Sequence, residues 1–298
     1  MAGNSNLKRF AHELEQSGDY RVLKRLVPPL PMNFIGAPFK RGLMIDTETT
    51  GLDFNEAELI EIALVPFEYS TEGKLMTFGK ALDQFQEPSK PITEEITKLT
   101  GITNEMVSGR AINIAEVDKL IEESDLIIAH NASFDRPFAE RLTPTFKNKP
   151  WACSLKDIDW KEEGYESPKL SFLAMEHGFY YKAHRADIDC WATIKILAQR
   201  LKASGDRAMT KLLESARQER WRIWATNTDF AKKDLLKDRG YRWESGANGK
   251  PKSWYVDIPA DDKESELEYL KNEIYNGRLP DLPMVNITAL NRFSEEIG

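Results

Sequence analysis

Asp46 and Glu48 stand two residues apart at the end of an apolar run, in Leu43-Met44-Ile45-Asp46-Thr47-Glu48-Thr49-Thr50-Gly51. In a strand, residues i and i+2 point to one face. Two carboxylates there cannot both be buried without cations to neutralise them. The plain alternative is a strand that has reached solvent, with both acids exposed. Asp135 follows in Ala129-His130-Asn131-Ala132-Ser133-Phe134-Asp135, one helical turn beyond a buried strand. Alone it compensates a helix dipole, worth about 0.3–1 kcal/mol, and Ser133 is an N-cap. His184 and Asp189 open a third segment, His184-Arg185-Ala186-Asp187-Ile188-Asp189, in a chain with only four histidines. Alone they read as a surface histidine and a first-turn acid, like Asp187.

Jointly they say more. Three separated segments each end a strand or open a helix with an acid, in an order one sheet can bring together. Two divalent cations about 3.5–4 Å apart can clamp a scissile phosphate and activate a water. Hard cations take oxygen ligands, so such a site is built of Asp and Glu. Imidazole as a class titrates near neutrality and can take the proton of the attacking water.

The elements that must position these residues are legible in the hydrophobic pattern. Strands are predicted at Gly42–Asp46, Leu59–Tyr69 and Leu75–Leu82, with the turn Thr71–Gly73 between the last two. Short helical patterns lie in Thr93–Val107 and Ile114–Ile121. A buried strand, Asp125–Ala129, feeds a helix over Ser133–Leu142, and Trp151–Ser154 is a short strand. Helical periodicity returns at Lys169–His177 and Ala186–Leu201. Strands first, then strands alternating with helices, predict a mixed sheet flanked by helices.

These residues resemble the DEDDh family of 3′–5′ exonucleases, which includes DnaQ-like proofreading subunits. The first motif is Asp46-x-Glu48-Thr49-Thr50-Gly51, the second Asn131-x-x-x-Asp135, the third His184-x-x-x-x-Asp189. Leu99-Thr100-Gly101-Ile102-Thr103 is similar to the helical turn that precedes the second motif. The likeness spans about residues 40 to 202 and implies an α/β, ribonuclease-H-like mixed five-stranded sheet. It also implies roles. Asp46, Glu48 and Asp189 would hold the metal that activates the nucleophilic water. Asp46 would bridge to a second, which Asp135 reaches directly or through water, and His184 would be the general base. Thr47 and Thr49 would lie against the terminal nucleotide, Leu52 would wedge beside the last base or pack in the core, and Asn131 would contact phosphate. The cofactors implied are two Mg²⁺ or Mn²⁺ ions per site. The family's other branch has tyrosine in place of His184, and Tyr180 and Tyr181 do not fit that register.

Composition is compatible with this. The chain has 298 residues, 41% hydrophobic and 30% charged, as in a globular protein. No run approaches the roughly 18 apolar residues of a membrane span, and Met1–Lys8 leads into an amphipathic segment, so a cytoplasmic protein without a membrane partner is expected. Cys153 and Cys190 read as buried free thiols. The net charge of −7 argues against a long duplex footprint, but not against an enzyme whose substrate phosphates meet cations held by carboxylates.

Three regions are expected: an N-terminal extension over 1–40 with two short helices, an exonuclease domain over 41–204, and a small α+β accessory domain over 205–298. In the last, Met209–Trp224 begins helically. Then come a strand at Trp221–Ala225, a helix at Phe230–Arg239, a turn and strand at Gly240–Trp243, a loop at Gly246–Gly249, a strand at Ser253–Ile258 and a helix at Glu264–Tyr275. Its interleaved Phe230, Lys232, Lys233, Tyr241, Arg242, Trp243, Lys252, Trp254 and Tyr255 suit single-stranded nucleic acid, where bases stack on aromatics; they suit a core equally. Trp221, Trp224 and Tyr269 favour core.

The expected reaction is phosphodiester hydrolysis at a 3′ end, DNA favoured, releasing nucleoside 5′-monophosphates. An RNA-trimming enzyme of the same fold is the main rival, since the 2′-hydroxyl is sensed by pocket shape. A silent end-binding module would have lost a carboxylate, and all four are present. A polymerase-held proofreader is disfavoured for want of a clamp-binding peptide, and a homodimer is left open.

Overall fold

The computed structural model describes residues 3–246, 249–295 and 297. It divides into two compact units, Met1–Ser215 with Phe293–Glu295, and Ala216–Arg292 with Glu296–Gly298.

The first unit opens with helix α1 (Gly3–Gln16) and strand β1 (Lys24–Arg25). A single helix replaces the two expected, because Lys24 and Arg25 pair in parallel with Phe179 and Tyr180, and tertiary pairing overrides local periodicity. Then come β2 (Lys40–Thr49), β3 (Leu59–Tyr69), β4 (Leu75–Phe78), β5 (Leu82–Phe85), α2 (Glu94–Thr100), α3 (Asn104–Val107) and α4 (Ile114–Glu122). β6 (Leu126–Ala129), α5 (Ala132–Leu142), β7 (Trp151–Cys153), α6 (Leu170–Glu176), β8 (Phe179–Tyr180), α7 (Ala186–Leu197) and α8 (Ala208–Arg217) complete it. Residues up to Ser215 stay with this unit, and Ala208, Met209, Leu212 and Leu213 of α8 are all buried.

The main sheet runs β4-β3-β2-β6-β7, with β5 also on β3. β3 is antiparallel to β2, whereas β6 and β7 run parallel to it. Mixed and helix-flanked, the sheet is of the expected ribonuclease-H-like class, with six strands rather than five. The predicted strand Leu75–Leu82 splits in two: β4 pairs with Phe67 and Tyr69, β5 with Glu61–Leu64. Pro66, which has no N–H to give a ladder, lies at the seam. One face of the sheet buries Leu43, Ile45, Ile62 and Leu64 against Val117 and Ile121 of α4 and Ala132 and Ala139 of α5. The alternate residues face α7, where the Cys190 thiol donates to the Ala63 carbonyl and Trp191 meets Phe78 edge-on. Both cysteines are free and buried. Gly42 is required in β2: a Cβ there would lie 2.3 Å from the buried Phe67 ring.

The second unit holds β9 (Arg220–Ala225), α9 (Lys233–Asp238), β10 (Arg242–Glu244), β11 (Ser253–Pro259), α10 (Lys263–Tyr269) and β12 (Met284–Ile287), with sheet order β10-β11-β9-β12. α8 stops at Arg217, short of the predicted Trp224, because the strand register claims Arg220–Ala225. Ile223, Leu236, Tyr241, Leu270 and Ile274 form its core, with Trp221, Trp254 and Tyr269 partly buried on it. Residues 247 and 248 of the expected loop lie outside the described residues. No described helix is long and apolar enough to cross a membrane.

Candidate active site

β2 outruns β6. The parallel pairing ends at Ile45 with Ala129, so Asp46–Thr49 project beyond the carboxyl end of β6, the crevice where open α/β sheets place their sites. Strand alternation sends Asp46 and Glu48 to the α7 face and Thr47 and Thr49 to the α5 face. On the α7 face, oxygens of Asp46, Glu48 and Asp189 all lie within 4.8 Å of one another. Asp135 stands outside this trio, buried, and accepts a 2.8 Å hydrogen bond from the Thr47 hydroxyl.

Asp189 sits one turn into α7 and reaches back. Its carboxylate accepts the backbone N–H groups of His184, at 2.8 Å, and Arg185, at 3.2 Å. That closure holds His184 at φ 65°, the left-handed region that costs most non-glycine residues. The His184 side chain is exposed. The first turn of α7 is tied to β3 as well. Glu61, fully buried, accepts from Arg185 Nε and Nη2 at 3.0 and 2.8 Å and from the Ala186 N–H at 3.0 Å. Glu61 is paired with Glu48 across the ladder and was not singled out in the sequence. The signal was there: an acid inside an otherwise apolar strand has to be paired.

The four acids oppose one another's ionisation. Burial foremost, then Asp135, Asp189, Glu48 and Glu61, hold Asp46 well above the usual carboxylate range. Burial, then Asp189, raises Glu48 to about 8. Burial raises Asp135 to about 7 against the Thr47 hydrogen bond, and burial raises Asp189 against the N–H donors that hold it. Among the described residues none of the four makes an ion pair. Crowded, desolvated, uncompensated carboxylates fit a site made for cations, and an all-oxygen donor set fits hard ones such as Mg²⁺ or Mn²⁺.

Of the other predicted site residues, Thr49 is buried with its hydroxyl on the Gly51 carbonyl at 2.6 Å. Leu52 is 87% exposed, which removes the core-packing alternative. Its loop is fastened by Arg141, which donates to the Phe54 and Ala57 carbonyls and lies on the Phe54 ring. Asn131 is exposed at the N-cap of α5, with no capping bond from its side chain. Tyr181 is placed unexpectedly. Its buried hydroxyl faces Asp189 without completing a well-shaped hydrogen bond, and burial and that carboxylate raise its pKa.

The comparisons with known proteins agree with this geometry. The exonuclease family model RNase_T matches residues 43–197, slightly more than half the chain. An uncharacterized exonuclease of Escherichia phage 186 is 32% identical over 177 residues, covering 52% of this chain and 85% of that protein. The DNA polymerase III subunit epsilon of Aquifex aeolicus is 29% identical over 161 residues, 52% of this chain and 77% of its own length. The PolC-type DNA polymerase III of Latilactobacillus sakei is 32% identical over 159 residues, and the match spans 51% of this chain but 10% of the polymerase. A zinc-bound complex of E. coli ExoI with single-stranded DNA aligns with a TM-score of 0.50 at 14% identity, over 78% of this chain and 71% of that one, a likeness of fold. With the family model, the motifs and the carboxylate cluster in agreement, the chain belongs to the exonuclease family, in its DnaQ-like, DEDDh branch.

Proposed function

We propose that this protein is a 3′–5′ exonuclease that hydrolyses the terminal phosphodiester of a nucleic-acid 3′ end, DNA in preference to RNA, and releases nucleoside 5′-monophosphates. The observation that carries the reading is the trio Asp46, Glu48 and Asp189 within 4.8 Å, with His184 on a turn tied to the third of them. Asp46, Glu48 and Asp189 would hold one Mg²⁺ or Mn²⁺ ion, and Asp46 with Asp135 would hold a second. When bound, they supply the positive charge that polarises the phosphate and acidifies an attacking water. His184 accepts that water's proton, its exposed ring leaving room for water and strand. Leu52 wedges beside the last base from a loop that Arg141 holds in place, and Asn131 contacts a phosphate. Thr47 and Thr49 bring backbone amides to the terminal nucleotide, their hydroxyls being engaged within the chain.

The second unit we assign as an accessory strand-binding module. Phe230 is 78% exposed and Trp243 52%, with Lys233 over the Phe230 ring and Lys237 over Trp254, on which Trp243 packs. Exposed rings flanked by cations suit base stacking.

The test uses 5′-labelled single-stranded, blunt and 3′-recessed oligonucleotides, DNA and RNA, with Mg²⁺, Mn²⁺ or EDTA. The expected result is a ladder shrinking from the 3′ end of DNA, abolished by EDTA. No product on any substrate sinks the activity; a ladder on RNA alone corrects the substrate. The likeness to polymerase III epsilon supports a second reading, a proofreading subunit held to a polymerase, and co-purification with one would favour it.

A further inference from the structure

Beside Asp189 the first unit has a cleft of 540 Å³, lined by Arg25, Leu26, Tyr180, Tyr181, Lys182 and Ile188. Its volume is within the range of about 300–1,000 Å³ that holds small ligands. It adjoins the carboxylates directly: Ile188 precedes Asp189 in α7, and the Tyr181 hydroxyl faces Asp189. One wall is built by the N-terminal extension. β1 pairs with β8 so that Arg25 stands opposite Tyr180, and backbone hydrogen bonds from Lys24 N–H to the Gly178 carbonyl and from Leu26 N–H to the Tyr180 carbonyl fix it there.

This wall carries two cations and an aromatic ring. The chain carries 48 acidic residues against 41 basic ones, yet among the described residues neither Arg25 nor Lys182 makes an ion pair. Both are exposed. The Lys182 ammonium lies beside Gly101 at the end of α2, 3.8 Å from where a Cβ would stand. Tyr180 between them is 50% exposed, a ring face left to solvent. Two free cations flanking an open aromatic surface, next to a cluster of acids, offer phosphate contacts and a base platform together.

We propose that this cleft holds the single-stranded stretch of substrate immediately 5′ of the scissile bond, with backbone phosphates on Arg25 and Lys182 and a base stacked on Tyr180. This rests on the exonuclease reading above and extends it. The N-terminal extension is thereby part of the substrate site, recruited through a two-residue strand pairing.

The test compares the unaltered protein with Arg25→Glu, Lys182→Glu and the double variant; the two residues lie on separate segments, so one misfolding does not stop the experiment. Two substrates are used: a 5′-labelled single-stranded DNA oligonucleotide, and the p-nitrophenyl ester of thymidine 5′-monophosphate, which has no upstream strand. Each variant is expected to lose kcat/KM on the oligonucleotide about tenfold more than on the ester, and each lost cation to lower the salt dependence of oligonucleotide affinity by about 0.7 in log–log slope. Affinity is read by fluorescence anisotropy with Ca²⁺ as the cation. Affinity and kcat/KM within about twofold of the unaltered protein overturn the cleft. So does an equal loss on both substrates, which would mean that these residues act on the carboxylate site. If the unaltered protein cuts neither substrate, the exonuclease reading falls, and the anisotropy series still decides the cleft by the same criterion.

Discussion

At Asp46, charge that chemistry needs and folding resists is concentrated in one side chain. Asp46→Asn removes a proposed metal ligand and, with it, a repulsion shared with four other acids, Asp135, Asp189, Glu48 and Glu61. Exonuclease activity is expected to fall by at least about 100-fold, the upper end of what losing even a ligand's hydrogen-bond partner costs. The metal-free variant is expected to melt at a higher temperature than the unaltered protein at pH 8; a lower melting point would contradict the electrostatic account. His184→Ala tests the proposed base apart from the proposed ligands. A drop in kcat of about 10²–10⁴ is expected, while stabilisation by Mn²⁺ in a thermal melt persists because the four carboxylates remain. The clustered acids were legible because strand alternation and helix-start position constrain where a side chain points. Tyr181 was not: its approach to Asp189 depends on the path of the segment Lys182–Arg185, which no periodicity encodes.

Among the elements, β3 does more than flank β2. It carries Glu61, which anchors the first turn of α7, and its register with β2 shifts between Glu48 and Thr49, a bulge of the kind that re-aims side chains next to active sites. Glu61→Gln leaves Arg185 without its buried counter-charge and weakens the hold on α7. A destabilisation of about 3 kcal/mol is expected in a denaturant titration, with a fall in activity from misplacement of His184 and Asp189. Unchanged stability would mean that Asp83, 3.8 Å from Arg185, takes over. The strands and helices of the sheet were readable because each has its own apolar rhythm; Leu59–Tyr69 matches the prediction to the residue. β1, β8 and β12 were not: β1 and β8 have two residues each, too few to alternate, and each of the three is stabilised by its partner.

For the molecule as a whole, the raised carboxyls set how stability follows pH. Their folded pKa values lie above the ordinary ones, so the folded state binds more protons than the unfolded. The stability they contribute is complete below the ordinary carboxylate pKa and is lost as pH rises through about 7 for Asp135 and about 8 for Glu48. The metal-free melting temperature is therefore expected to fall between pH 5 and pH 8. Added Mg²⁺ or Mn²⁺ is expected to raise it more at pH 8 than at pH 5, by about 5–10 °C at roughly a hundred times Kd. An equal rise at both would argue that the cation sits elsewhere. The segments that carry the clustered acids also differ in how they are anchored. Leu43–Ile45, which lead into Asp46 and Glu48, are paired on both sides, by β3 and β6. Asp189, by contrast, lies in the first turn of α7, and its carboxylate closes the turn at His184. Amide exchange should thus be slow along the centre of β2, where opening requires the sheet to come apart, and fast around His184, where one turn can open alone. A cation held on Asp46 and Glu48 would then keep two of its ligands while that turn opens and closes.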